Sequence, residues 1–292
     1  MKKSSRLCLV LISIVLIFTA FSQTSIGQND EVFRQAQALT LAGLQYDGEG
    51  KFAEAISAYL RALKIVPNDA SVYTNLGVAY TQLKQYDEAV SALEKAMALD
   101  PKFAKAFYNL GVVYSLTNRN IEAVSVLQKA IALNPQYVKA RTQLCVAYLV
   151  TEQNKEAVGC YKELLPLASQ DATIRSNYGF ALMRINRLKE AGAVLEESSR
   201  LFPSHIETDT NLGAVLLQLG RYKDAISVFN RALEIEPSNE SARYNLAMAQ
   251  LANKNKSIAL EQYAFLKNSN PELAKQLFEV IYRDKIIVNK QK

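Results

Sequence analysis

Six amides stand at one fixed interval along this chain: Asn75, Asn109, Gln143, Asn177, Asn211 and Asn245, each 34 residues after the one before. A primary amide donates and accepts hydrogen bonds at once, so a row of them can hold a peptide backbone without reading its side chains. Asparagine is a poor helix residue, so its recurrence is not explained by local propensity. Two more columns keep the same interval. One is apolar, Val78, Val112, Val146, Phe180, Ala214 and Met248; the other bears hydroxyls, Thr74, Tyr108, Thr142, Ser176, Thr210 and Tyr244. Amides flanked by apolar and hydroxyl groups suit a protein or peptide partner of mixed polarity. Part of the apolar column has a plainer use, as packing between neighbouring helices.

The remaining chemistry-bearing residues form no catalytic set. Gly48-Glu49-Gly50-Lys51 looks like a phosphate loop, but the glycine required five residues before Gly50 is Gln45, and Phe52 follows Lys51 in place of Ser or Thr. Gly50 reads instead as a turn residue, with counterparts Asn118, Asn186 and Gly220 that tolerate a left-handed backbone. The single histidine, His205, has no partner that the spacing identifies and reads as a surface loop residue. Carboxylates recur at the repeat spacing and read as solvated helix faces. No CxxC, HExxH or glycine-rich dinucleotide motif occurs. An enzyme, a metal site and a cofactor are therefore not expected.

The elements that would carry the amides follow from Ala70–Phe103. Tyr73, Leu76, Gly77 and Tyr80 share one face of a helix; Ala89, Leu93 and Ala96 share a face of a second helix, which Pro101 stops. The same residue types return 34 residues later as Phe107, Leu110, Gly111, Tyr114, Ala123, Leu127, Ala130 and Pro135. One column stays small as Gly43, Gly77, Gly111, Cys145, Gly179, Gly213 and Ala247, and a second is alanine throughout at 55, 89, 123, 157, 191, 225 and 259. Longer side chains there would push paired helices apart.

This pattern resembles the tetratricopeptide repeat family, whose 34-residue unit is a helix-turn-helix. Seven units begin at Ala36, Ala70, Ala104, Val138, Ala172, Ile206 and Glu240 without insertion, covering 36–273. The resemblance implies an all-α, right-handed α-solenoid, with the amide side of each first helix lining a concave groove where peptides or partner helices bind. Its expected contacts are the amide column together with Thr74, Tyr108, Val112, Phe180, Tyr244 and Met248. Members that hold chaperone C-termini use Lys in the Thr74 column and Asn in the Val78 column; neither stands here, so that activity is not implied. The amide row is also similar to the asparagine ladder of the repeat domain of O-linked N-acetylglucosamine transferase. A relative of that enzyme would need a catalytic domain, which the 19 residues after Leu273 do not supply.

Repeat four departs from the pattern: Ser169 stands where the stop proline is expected, and Pro166 comes three residues early, which predicts a shortened helix or a bend. After the repeats, Asn270-Pro271 opens one more helix, with Leu273, Leu277, Val280 and Ile281 expected against the last repeat. Residues 274–292 read as this cap and a basic tail, of which Ile286–Lys292 is apolar, then cationic.

The formal charge of +6 splits into +3 from Lys2, Lys3 and Arg6 and +3 from the last ten residues, leaving the body neutral, so nucleic-acid binding is not expected. MKKSSR followed by the uncharged run Leu7–Phe21 reads as a secretory signal within 1–27, or as an N-terminal membrane anchor if uncleaved; 28–35 read as a polar connector. The chain is thus expected to be exported, periplasmic or extracellular, as an interaction scaffold in a bacterial envelope complex, with a polysaccharide-export or pilus-assembly machine as the alternative setting. Cys145 and Cys160 would lie on the two helices of repeat four. An oxidising compartment would permit a disulfide between them, and a small apolar core residue explains them equally.

Overall fold

Thirty-four residues separate the starts of successive trailing helices, and of successive leading helices from Ala70 on, in the computed structural model, which describes residues 30–282. Helix α1 covers 30–48. The others are α2 (Phe52–Ile65), α3 (Ala70–Gln82), α4 (Tyr86–Leu99), α5 (Ala104–Leu116), α6 (Asn120–Leu133), α7 (Val138–Val150) and α8 (Asn154–Leu164). They continue as α9 (Ala172–Arg184), α10 (Leu188–Leu201), α11 (Ile206–Gln218), α12 (Tyr222–Ile235), α13 (Glu240–Ala252), α14 (Lys256–Ser269) and α15 (Pro271–Ile281). No strand occurs among the described residues. The fold is an all-α solenoid of helical repeats, divided into two compact units at Ala140/Arg141.

Five of the seven hairpins are held by a side chain that fills the space over a glycine; the seventh carries Ala247 there. A Cβ built on Gly77 would stand 2.6 Å from Leu93 Cγ, on Gly111 2.6 Å from Leu127, on Gly179 2.4 Å from Leu195 and on Gly213 2.5 Å from Phe229. Gly43 is covered by the ring of Tyr59 at 2.4 Å. The covering residue always lies 16 positions later and is wholly buried. Repeat four differs: Cys145 fills the glycine position, and the structure joins it to Cys160, with Cα atoms 5.4 Å apart. Helix α8 of that hairpin has 11 residues against 14 in its counterparts and stops at Leu164, before Pro166.

The helices of a hairpin are joined through one left-handed residue. Gly50, Lys84, Asn118, Glu152, Asn186, Gly220 and Lys254 have φ between 57° and 75°. In each case the next N–H closes back onto the leading helix, as in Gln85 N to Tyr80 O and Arg221 N to Leu216 O, both 2.9 Å. Only Gly and Asn suit this conformation, so Lys84, Glu152 and Lys254 are held there by the fold.

Both ends differ from the sequence reading. Helix α1 begins at residue 30, inside the segment taken as a polar connector; its first turns are exposed, and Ala36 is its first buried residue. In α15, Ala274, Leu277 and Ile281 are buried while Val280 is 39% exposed, a phase set by Asn270 capping Leu273 N at 3.1 Å. Residues 1–27 and 286–292 lie outside the described residues. No helix among the described residues is long and apolar enough to cross a membrane.

Replacing Lys84, Glu152 and Lys254 by Gly should stabilise the fold by about 0.5–1 kcal/mol each, since the relief of left-handed strain exceeds the added chain entropy. Urea melts check this, and an unchanged midpoint would show that the side chains offset the strain.

Candidate functional site

Each leading helix buries two faces and leaves one. Val72, Leu76 and Ala79 are buried on α3, and Ala106, Leu110 and Val113 on α5, while Gly77 and Gly111 meet the trailing helices. What remains is the side bearing the amides, and all six are half-buried. Asn75 and Asn109 form a row in the first unit; Gln143, Asn177, Asn211 and Asn245 form a row in the second.

In the first unit the Nδ2 atom of Asn109 is buried and meets no hydrogen-bond acceptor. Leaving such a donor unmet costs about 1–3 kcal/mol. Val78 and Val112 beside the amides are half-buried, and Leu116, one turn beyond Val112, is 54% exposed. Tyr108 lies against Tyr137 with ring centroids 5.0 Å apart, and burial pushes its phenol upward. Thr74 does not belong to this face. It is fully buried and its Oγ1 donates to Ala70 O at 2.8 Å, an in-helix bond that lets the hydroxyl enter the core.

In the second unit the amides are partly engaged. Asn211 Nδ2 donates to Ser176 Oγ at 2.9 Å, tying α11 to α9, and Ser176 is itself buried. Asn177 lies beside the buried Tyr161, whose phenol burial raises strongly and the amide partly restores; the geometry falls short of a well-formed hydrogen bond. Phe180, Tyr244 and Met248 are half-buried, and Tyr244 and Met248 also pack onto the core formed with α15. The apolar column thus has a structural share.

A second periodic feature escaped the sequence reading. The position of Tyr73 and Phe107 becomes charged in the second unit, as Arg141, Arg175, Asp209 and Arg243, and its partner comes 22 residues later. Arg141 pairs with Glu163 at 2.5 Å and Arg175 with Glu197 at 3.5 Å. In the next hairpin the polarity is reversed: Asp209, 1% exposed, takes a bidentate contact from Arg231 and a hydrogen bond from Ser199 Oγ at 2.7 Å. Arg243 instead lies over the Phe265 ring at 3.7 Å. Charges in a core-reading column, matched at a fixed offset, were the available signal. His205 lies in the connection between α10 and α11, as expected, but it is half-buried and caps α11, accepting from Thr208 N at 3.2 Å and bonding Thr208 Oγ1 at 2.8 Å. Among the described residues no group of three or more His, Cys, Asp or Glu could hold a metal ion.

The chain matches the TPR repeat model over residues 43–84, 79–118 and 213–254, and the tetratricopeptide repeat model over 117–176. Similar solved structures include YrrB, described as a TPR protein with an unusual peptide-binding site, at 23% identity over 63% of this chain and 95% of that one, with a TM-score of 0.59. The MamA protein is 25% identical over 58% of this chain and 92% of its own, at 0.54. A tetratricopeptide repeat protein from Parabacteroides merdae covers 85% of this chain and 99% of its own at 14% identity and 0.64. These likenesses are of fold. No curated protein matches the sequence.

Arg231→Ala should destabilise the second unit by about 3 kcal/mol, because it strands the buried Asp209 carboxylate. Arg119→Ala, which breaks the exposed pair with Glu122, should leave the denaturation midpoint where it is.

Proposed function

The chain belongs to the tetratricopeptide repeat family, and from that membership we propose that it is a non-catalytic protein-interaction scaffold whose amide-bearing helix faces hold a peptide segment or a partner helix. The observation that carries this reading is the half-buried row of amides, Asn75 and Asn109, beside half-buried Val78 and Val112 and the exposed Leu116. An extended backbone offers a carbonyl to an amide, and an exposed leucine offers apolar contact to the side chain next to it. The engaged amides of the second unit divide the labour: Asn211 stiffens the stack, and the first unit takes more of the partner.

The protein is proposed to work outside the cytoplasm. The basic start and uncharged run Leu7–Phe21 support export, and so does the Cys145–Cys160 pair, since a disulfide persists in oxidising compartments. An envelope assembly is the setting that suits both.

Asn109→Ala should weaken capture of a partner by about 1 kcal/mol or more with unchanged helicity, whereas Asn211→Ala should lower stability more than binding. Titration with a crosslink-identified partner, read beside thermal melts, separates the two; equal affinity for wild type and Asn109→Ala would remove the proposed contact. Mass spectrometry of the protein from an extracytoplasmic fraction should show a mature start between Gln23 and Gln28, and an intact Met1 in the cytosol would overturn the export reading.

A further inference from the structure

The first helix breaks the amide rule. Leu41 stands where later leading helices carry Asn or Gln, and Leu44 where they carry the apolar column, and these side chains are 66% and 45% exposed. Phe33, two turns before Leu41, is 53% exposed. Together with Ala36, Ala62, Val66 and Val72, Phe33 and Leu41 line a cavity of about 380 Å3 between α1, α2 and the start of α3. Asp69 is the charged residue of that lining, and its Oδ1 is committed to the N–H groups of Ser71 and Val72. Its second oxygen faces no hydrogen-bonding demand from the helix it caps.

We infer that this cavity receives residues 286–292 of a second copy of the chain, Ile-Ile-Val-Asn-Lys-Gln-Lys. A cavity of this volume holds roughly two or three aliphatic side chains, the content of Ile286, Ile287 and Val288. Lys290 and Lys292 follow two and four residues after Val288, and they supply a cation to the Asp69 carboxylate, which forms no ion pair among the described residues. The other apolar stretch of the sequence, Leu7–Phe21, is fifteen residues long and exceeds the space. The cavity belongs to the first hairpin and the tail follows the last; hairpins of a repeat array meet only their neighbours, so the donor is another molecule. A contact between two different patches is heterologous and adds copies end to end.

Sedimentation velocity of the chain, purified as the cell processes it, should show a coefficient that rises with concentration. Removal of 286–292 should abolish the rise, and so should Leu41→Asp, an exposed position where circular dichroism should show unchanged helicity. A labelled peptide of residues 283–292 should bind the tail-deleted chain and lose affinity at least about tenfold on Leu41→Asp or Phe33→Asp. Asn109→Ala should leave peptide binding unchanged, which separates this contact from the amide face. Association that persists without the tail, peptide binding indifferent to Leu41→Asp, peptide binding lost in Asn109→Ala, or a full chain that stays monomeric at every concentration would overturn the inference.

Discussion

Interlock of a trailing-helix side chain over a residue without one is the constraint from which the architecture follows. Leu93 over Gly77, Leu127 over Gly111, Leu195 over Gly179 and Phe229 over Gly213 each place two backbones too close for a Cβ. Because the offset of 16 recurs in the five hairpins that carry the glycine, those hairpins share one geometry, and within each unit their leading helices present the same register position to the same side. The amide rows therefore result from repetition. Two buried faces on a helix of 13 residues leave a narrow third, and that third carries the amides.

Repeat four meets the same constraint differently. Cys145 brings a side chain into the glycine position, so the usual interlock is not available, and its sulfur is joined to Cys160 on the facing helix. The trailing helix there is also the short one. Tyr161, the counterpart of Leu93, remains wholly buried with its hydroxyl inside. A covalent tie thus occurs in the hairpin that lacks both the glycine and the full-length partner helix.

The period and the helix pairing were legible in the sequence, because each rests on like residues recurring at one spacing; the left-handed turns were legible only where Gly or Asn stands, and Lys84, Glu152 and Lys254 gave no such sign. Side-chain allegiance was harder to read. Thr74 looked like a groove residue because its hydroxyl is polar, but a threonine in a helix can satisfy that hydroxyl on the carbonyl four residues back and turn its methyl inward. Val280 looked like core by hydrophobicity, yet the phase of a short capped helix follows its cap. The Asn211–Ser176 bond joins residues 35 apart, one more than the period, so comparing equivalent columns could not reveal it. The charged column was visible in composition and opaque in meaning until the partner helix was placed beside it.

The reversal at Asp209 and Arg231 gives otherwise interchangeable hairpins individual addresses. If α9 paired with α12 in a skipped register, Arg175 would confront Arg231 in place of Glu197, its partner on α10. Near-identical modules strung on one polymer risk such mistakes while they collapse, and a like-sign encounter at these partly exposed positions discourages them. The swapped pair thereby sorts neighbours from near-neighbours, a task that the uniform apolar interlock, the same in every module, cannot perform.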